Sequence, residues 1–466
     1  MPIPVITVSQ MREWEKATWA TGQTEAEVIR LVGKRVAQLA LRLTRPGDLI
    51  LILAGKGHNG EDARASREHF GERRVDLLDV KDPAADLSKL DAILSLSPSL
   101  VIDGLFGIGL NRPLSPDWVR FIEGLNASRA RVLAVDVPSG LNAETGQPEG
   151  AALESALTLT VGAPKRGMLA NSAWQFVGRL EVATQVGLVP CPATSDLQWT
   201  LAEDFADFPP RRAVASHKGT YGHVAIIAGS RGYHGASVLA ARGAQRAQPG
   251  LITLHSHVSV YFPVAAQLQA VMVAPWESKI ELPNSYSGIL IGPGLAAPDL
   301  PQEVKALTGQ LWRESPLPII VDASALVWLP AGKTPERAIR VITPHPGEAA
   351  RLLGTTSDHI QSDRPAALTR LSSRFGDCYV VLKGHQTLVG RSTGPIFVNS
   401  SGNPHLAQGG SGDTLSGFLA GLLAQPALQA NPLMTIRYAV WKHGAGADRL
   451  QAARPGWVVE DLIQEL

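Results

Sequence analysis

Short apolar runs rich in Val, Ile and Leu alternate along the chain with segments whose apolar positions recur every three to four residues. That alternation predicts parallel sheets covered by helices. In the first half, strands are expected at 49–54, 100–102, 131–135 and 157–161. In the second half they are expected at 223–228, 251–255, 289–291, 319–321, 341–342 and 379–382. Between the two sets, residues 189–212 carry no such run. Pro190, Pro192, Pro209 and Pro210 punctuate that stretch, with an acidic cluster at Glu203, Asp204 and Asp207, so it reads as a linker. A boundary near 205 divides the chain into 1–204 and 205–466. The halves show no clear repeat, so two different α/β domains are expected.

The most informative change of pattern lies at 402–414. Gly402, Gly409, Gly410 and Gly412 surround the acid Asp413, and Leu415, Phe418, Leu419, Leu422 and Leu423 follow at helical spacing. A glycine-rich loop thus enters a helix N-terminus, where free amides and the helix dipole favour an anion. An acid in that place competes with a bound anion. The reading is a base beside a transferable phosphate; the alternative is an aspartate that merely caps the helix.

Composition narrows the class. The chain has 466 residues, 45% of them apolar, enough for two or three cored domains. The net charge of +1 leaves no electrostatic footprint for nucleic acid or an anionic membrane. Two cysteines, Cys191 and Cys378, make neither a zinc site nor a disulfide framework and read as separate thiols in a reducing compartment. The first residues lack a basic segment followed by an apolar run, and no apolar stretch approaches the roughly 20 residues of a membrane span. A soluble, cytoplasmic protein with no nucleic-acid or membrane partner is expected.

In the first half, the strand at 49–54 runs into Gly55-Lys56-Gly57-His58-Asn59-Gly60-Glu61-Asp62 and then a helical pattern from Ala63. Read literally this is G-x-G-x-x-G between strand and helix, with Asp76 or Asp79 about 20 residues on, which keeps a nicotinamide-dependent dehydrogenase open. Two later strand ends, Asp103 and Asp136-Val137-Pro138-Ser139, argue for other chemistry. Ligands of open parallel sheets gather at the carboxyl ends of strands. Asn59, Asp62, Asp103, Asp136 and Ser139 offer hard oxygens for a cation and a spare carboxylate for proton transfer; the alternative is that the aspartates cap their turns. Lys165 follows a fourth strand and either reaches the same edge or is solvated.

The strings GKGHNGED, DGLFGIGLNRP, VDVPSGLNAETG and GAPKRG resemble the epimerase domain of the NAD(P)H-hydrate repair enzymes. The resemblance implies a Rossmann-like three-layer domain that interconverts the R and S hydrates of NADH and NADPH. It implies a potassium ion at Asn59, Asp103 and Ser139. Substrate contacts would come from His58, Asn59, Gly60, Glu61, Asp62, Gly107, Ile108, Gly109, Leu110, Asn111, Arg112, Pro113 and Asp136, with Asp136 as the acid–base group. His58, Glu61 and Ala63 depart from the family's G-x-G-N-N-G-G-D-G string.

In the second half, SHKGTYGH, the turns after Ala228 and Ile291, TPHPGE and KGHQT all fall at expected strand ends. A small-residue helix begins at Gly235-Ala236, where a ligand would lie close to backbone. His345 is flanked by Pro344 and Pro346, which fixes its position. These strings resemble the ribokinase-like dehydratase domain of the same family. The resemblance implies that Ala236, Gly294 and His345 line the hydrate pocket, that Lys383, Gly384, His385, Gln386, Thr387 and Gly412 hold a nucleotide, and that Asp413 contacts the hydrate as base. It further implies ADP as the nucleotide with ATP as the alternative, Mg2+ on that nucleotide, and a homo-oligomer. The rival reading is a ribokinase-like kinase for a sugar or vitamin with a non-catalytic N-terminal domain, since such kinases use a similar glycine loop.

Overall fold

A computed structural model of the protein describes residues 2–466. Contacts divide the chain into two compact units, Ile3–Trp199 and Thr200–Leu466.

The first unit contains β1 (Ile3–Pro4), β2 (Leu49–Ala54), β3 (Arg74–Asp79), β4 (Leu100–Gly104), β5 (Val132–Val135), β6 (Leu157–Val161), β7 (Arg179–Ala183) and β8 (Leu197–Trp199). Its main sheet is parallel in the order β3-β2-β4-β5-β6-β7. The Leu-Ile-Leu-Ile-Leu-Ala run of β2 is buried at every position, as a central strand covered on both faces requires. The chain leaves β2 for β3 on one side and then crosses to β4 on the other. That reversal opens a crevice at the carboxyl ends of β2 and β4, the place where doubly wound sheets take ligands.

The second unit contains β9 (His223–Ile227), β10 (Leu251–His257), β11 (Met272–Trp276), β12 (Gly288–Ile291), β13 (Ile319–Val321), β14 (Arg340–Ile342), β15 (Tyr379–Leu382), β16 (Leu388–Gly390) and β17 (Ile396–Val398). Their order is β17-β16-β15-β14-β13-β12-β9-β10-β11, parallel except where β16 pairs antiparallel with β15 and β17. Here the order reverses at β9, with β10 on one side and β12 on the other.

The helix Ser411–Leu423 is apolar nearly all round and buried along most of its length. It lies against the helix His234–Arg246 at backbone contact. A Cβ at Gly417 would meet the Ala240 carbonyl at 1.9 Å, and one at Gly243 the Thr414 carbonyl at 2.3 Å. The small residues of the earlier helix, expected to face a ligand, mostly serve this packing instead. Their effect is to lock the first turn that carries Asp413 to the helix that carries Ala236.

The 189–212 stretch differs from the expected linker. It forms β8 and a short 3-10 helix, Ala202–Phe205, whose Phe205 is buried. Asp204 pairs with the buried Arg437. Neither cysteine is bonded to the other.

Candidate functional site

At the β2–β4 crevice, close backbone approach explains the glycines. A Cβ at Gly60 would stand 2.2 Å from the Gly55 carbonyl, and one at Gly55 would stand 2.1 Å from the Leu105 carbonyl. The turn after β2 therefore seats directly on the chain leaving β4. A cavity of about 970 Å³ opens beside it. Of the expected substrate contacts, His58, Asn59, Asp62, Asp136 and the whole 107–113 loop line it. Gly60 and Glu61 do not: Gly60 is packed beneath the turn and Glu61 is exposed. Ala63 is buried against Gly104, so its methyl fills space between helix and strand.

Hydrogen bonds through Phe106, which lines this cavity, link the three expected cation ligands. Asp103 and Ser139 are fully buried, and Ser139 donates both its amide (2.8 Å) and its hydroxyl to the Asp103 carboxylate. The Phe106 amide donates to Ser139 Oγ at 2.8 Å. Asn59 donates through Nδ2 to the Phe106 carbonyl, also at 2.8 Å, while its Oδ1 is buried without a partner. Burial pushes Asp103 up to about 6, against the hydrogen bonds from Ser139 and Leu105.

Asp136 sits in the left-handed region, φ +62°, where a non-glycine residue is held only by its surroundings. Its Oδ1 accepts from Thr160 Oγ1 (3.1 Å), the Val161 amide (3.0 Å) and Lys165 Nζ. Lys165 is fully buried rather than solvated, and its remaining bonds go to Thr160 and the Val161 carbonyl. Two further carboxylates line the same cavity. Glu15 and Asp62 are both raised, first by burial and then by the charge of Asp136. The cavity thus pairs one carboxylate held by an ammonium with two whose pKa is raised.

In the second unit the strand ends converge on Asp413. Gly410, φ +92°, precedes the helix, and a Cβ there would strike Leu239 at 2.3 Å, so only glycine makes this entry. Among the described residues, the amides of Gly412 and Asp413 have no protein acceptor. Lys383 Nζ lies 3.3 Å from where a Gly412 Cβ would be. It donates to Asp322 Oδ1 at 2.9 Å and stands 4.0 Å from Glu348 Oε2. Burial opposes the Lys383 charge, but Asp322, Glu348 and Asp413 outweigh it and raise its pKa. His345 caps the next helix by accepting at Nδ1 from the Gly347 amide (3.0 Å), and Glu348 accepts from the His345 amide at 2.8 Å. Gly294 adjoins Ala236, since a Cβ on it would lie 3.0 Å from the Ala236 methyl. The 383–387 turn carries left-handed Gly384 and Gln386 and is clamped by Arg364, which donates to the carbonyls of Leu382, Lys383 and His385.

Burial, with Asp322 next, pushes Asp413 up to about 6. An acid whose pKa is higher folded than unfolded costs stability once ionised. That cost is absent below about 3.8, grows toward about 6 and is complete above it. Asp413→Asn should therefore raise the melting temperature by a few degrees at pH 8 and leave it unchanged near pH 3.5. Calorimetry at both pH values checks this; an equal shift at both would exclude the carboxylate charge as its source.

Residues 224–465 match the family described as NAD(P)H-hydrate dehydratase, and residues 68–167 match the YjeF-related protein N-terminus. The bifunctional NAD(P)H-hydrate repair enzyme Nnr of Coxiella burnetii is 32% identical, over 98% of this chain and 97% of its own. The chain belongs to the bifunctional NAD(P)H-hydrate repair enzyme family. The member from Gloeobacter violaceus is also 32% identical, over 96% of this chain and 94% of its own. A solved ribokinase-like superfamily protein from Enterococcus faecalis is 26% identical and covers 59% of this chain and 96% of its own at a TM-score of 0.51. Both α/β folds expected from the sequence, one Rossmann-like and one ribokinase-like, stand. Within this repair-enzyme architecture the sequence pattern did not single out Glu15 or Asp322, and it gave no role to Glu348, the last residue of TPHPGE. Asp322 had a visible signal, an aspartate directly after an apolar strand, the same sign that singled out Asp103 and Asp136.

Proposed function

We propose that the chain restores hydrated NADH and NADPH, the second unit dehydrating the S form at the expense of ADP and the first interconverting the R and S forms. The observation that carries the reading is Asp413, a carboxylate with a raised pKa standing over unpaired helix-terminal amides and beside Lys383. Hydroxide is a poor leaving group. Asp413 takes the proton of the hydrate's C6 hydroxyl as that oxygen attacks the terminal phosphorus of ADP, and AMP departs. The ring nitrogen then expels phosphate from C6, and loss of a C5 proton restores the dihydronicotinamide. The amides of Gly412 and Asp413, with the Lys383 ammonium, face charge developing on the transferred phosphoryl. Magnesium would ride on the nucleotide phosphates and offset their charge; no cluster of three acids or histidines among the described residues would cage it.

In the first unit, the orphaned Asn59 Oδ1 and the Asp103 carboxylate, which only hydrogen bonds compensate, form a donor set that fits a potassium ion together with Ser139. Such an ion would offset the buried charge of Asp103. Asp136 is held ready for proton transfer at C6 by Lys165.

The test supplies separated R and S hydrates, ADP and magnesium. The S hydrate should regain dihydronicotinamide absorbance with equimolar AMP and phosphate. Phosphorylation of a sugar or vitamin with no response to the hydrate would instead establish the kinase reading. The R hydrate should be consumed without added epimerase. Asp136→Asn should stop that consumption while S is still consumed; unaltered use of R in this variant removes Asp136 from the chemistry.

A further inference from the structure

One carboxylate at the second site has no part in the chemistry above. Asp322 follows β13, is 1% exposed, and spends its Oδ1 on Lys383 Nζ at 2.9 Å. Lys383 comes from the end of β15, Glu348 from the helix Pro346–Leu353 and Asp413 from the helix Ser411–Leu423. Two carboxylates thus lie within 4.0 Å of one ammonium, and the charge of a third, Asp413, also acts on it. Lysine is a point charge on a flexible stem, so its place is set by whichever anion holds it most closely. Asp322 holds it at hydrogen-bond distance, Glu348 at 4.0 Å.

We propose that Asp322 is a positioning residue of the phosphoryl-transfer site, pinning the Lys383 ammonium beside Gly412 and away from a salt bridge with Asp413. The inference rests on the reading of Asp413 as the base. Without Asp322 the ammonium is left to Glu348, at 4.0 Å, and to Asp413, whose lone pair would then be partly tied to a cation. The charges act in that sense: Asp322 and Glu348 raise the Asp413 pKa while Lys383 lowers it. The two histidines at hand do not supply the missing anion. His345 is pushed down chiefly by burial, against the charge of Glu348. His443, pushed down to about 4 by burial, is neutral and meets the Ser411 carbonyl at 3.1 Å.

Asp322→Asn keeps the shape and removes the charge. The acid limb of the kcat profile should move down by about one pH unit, with a lower plateau and a nucleotide KM raised about tenfold. Asp322→Glu should recover part of each. A second readout needs no turnover: the pH at which the melting temperatures of the parent and Asp413→Asn diverge should fall when both carry Asp322→Asn. If the chain never dehydrates the hydrate but this divergence still moves, the proposed function fails and only the electrostatic hold of Asp322 on the Lys383–Asp413 pair stands. If the Asp322 variants do not fold, Lys383→Met should move the divergence upward. An acid limb and a divergence pH that stay in place overturn the proposal.

Discussion

Asp413→Asn lowers kcat for dehydration of the S hydrate by about 10²–10⁴, the usual loss on removing a positioned general base. The amide matches the carboxylate in shape, so hydrate and nucleotide KM should stay within a few-fold. The proton is what it cannot take. The pH profile separates this from misplacement. A base works only when deprotonated, and burial places Asp413 at about 6. The parent's kcat should therefore rise with pH through about 6 and level off above it, while the variant's residual rate is flat across that window. Stopped reactions over pH 5–8, scored by AMP release, check both. A variant that retains the acid limb would assign it to another group and release Asp413 from the mechanism. The same substitution is expected to stabilise the fold at pH 8, so loss of activity with a raised melting temperature marks a group kept for chemistry at a cost in stability.

What the chain's pattern revealed depended on where each element sits. Strands buried on both faces, such as β2, β9 and β12, read as unbroken apolar runs and fell where expected. The edge strand β3 did not. Its Arg-Val-Asp-Leu-Leu-Asp sequence is mostly part-exposed, and the polar positions hide the run. The antiparallel β16 and β17 span three residues each, too short for periodicity to register. Long-range pairs were out of reach for a different reason. Asp204 looked like part of a solvated acidic linker because its partner, Arg437, lies 233 residues away. The glycine loop at Asp413 was legible because one local segment supplies both the backbone freedom and the acid. Glu15 was not, because nothing near it in sequence announces that its helix borders the cavity that Asp136 lines. Asp322 was within reach, and only the strand-end rule left unapplied kept it out of view.

Lys165→Met should cost the first unit about 3–5 kcal/mol, the usual penalty for stripping one partner from a buried ion pair. For a unit of this size that corresponds to a fall in its melting temperature of about 10 °C. Two features make the penalty steep. The lysine is fully buried, so no water replaces its bonds to Asp136, Thr160 and the Val161 carbonyl. Asp136 also holds φ +62°, which typically costs about 1–3 kcal/mol and is opposed by the side-chain bonds that Lys165 anchors. Once the ammonium is gone, the carboxylate faces Glu15 and Asp62, both of which already resist ionisation beside it. The double variant Lys165→Met with Asp136→Leu distinguishes a charge left unpaired from a packing defect. Removing both charges should return most of the lost stability, because apolar pairs often replace buried ion pairs without loss. It should not return consumption of the R hydrate. Thermal melts of the two variants, with R and S hydrate assays alongside, give both answers. Full stability in the single variant would mean that the pair does not hold Asp136 in place and would detach Lys165 from the proposed epimerase site.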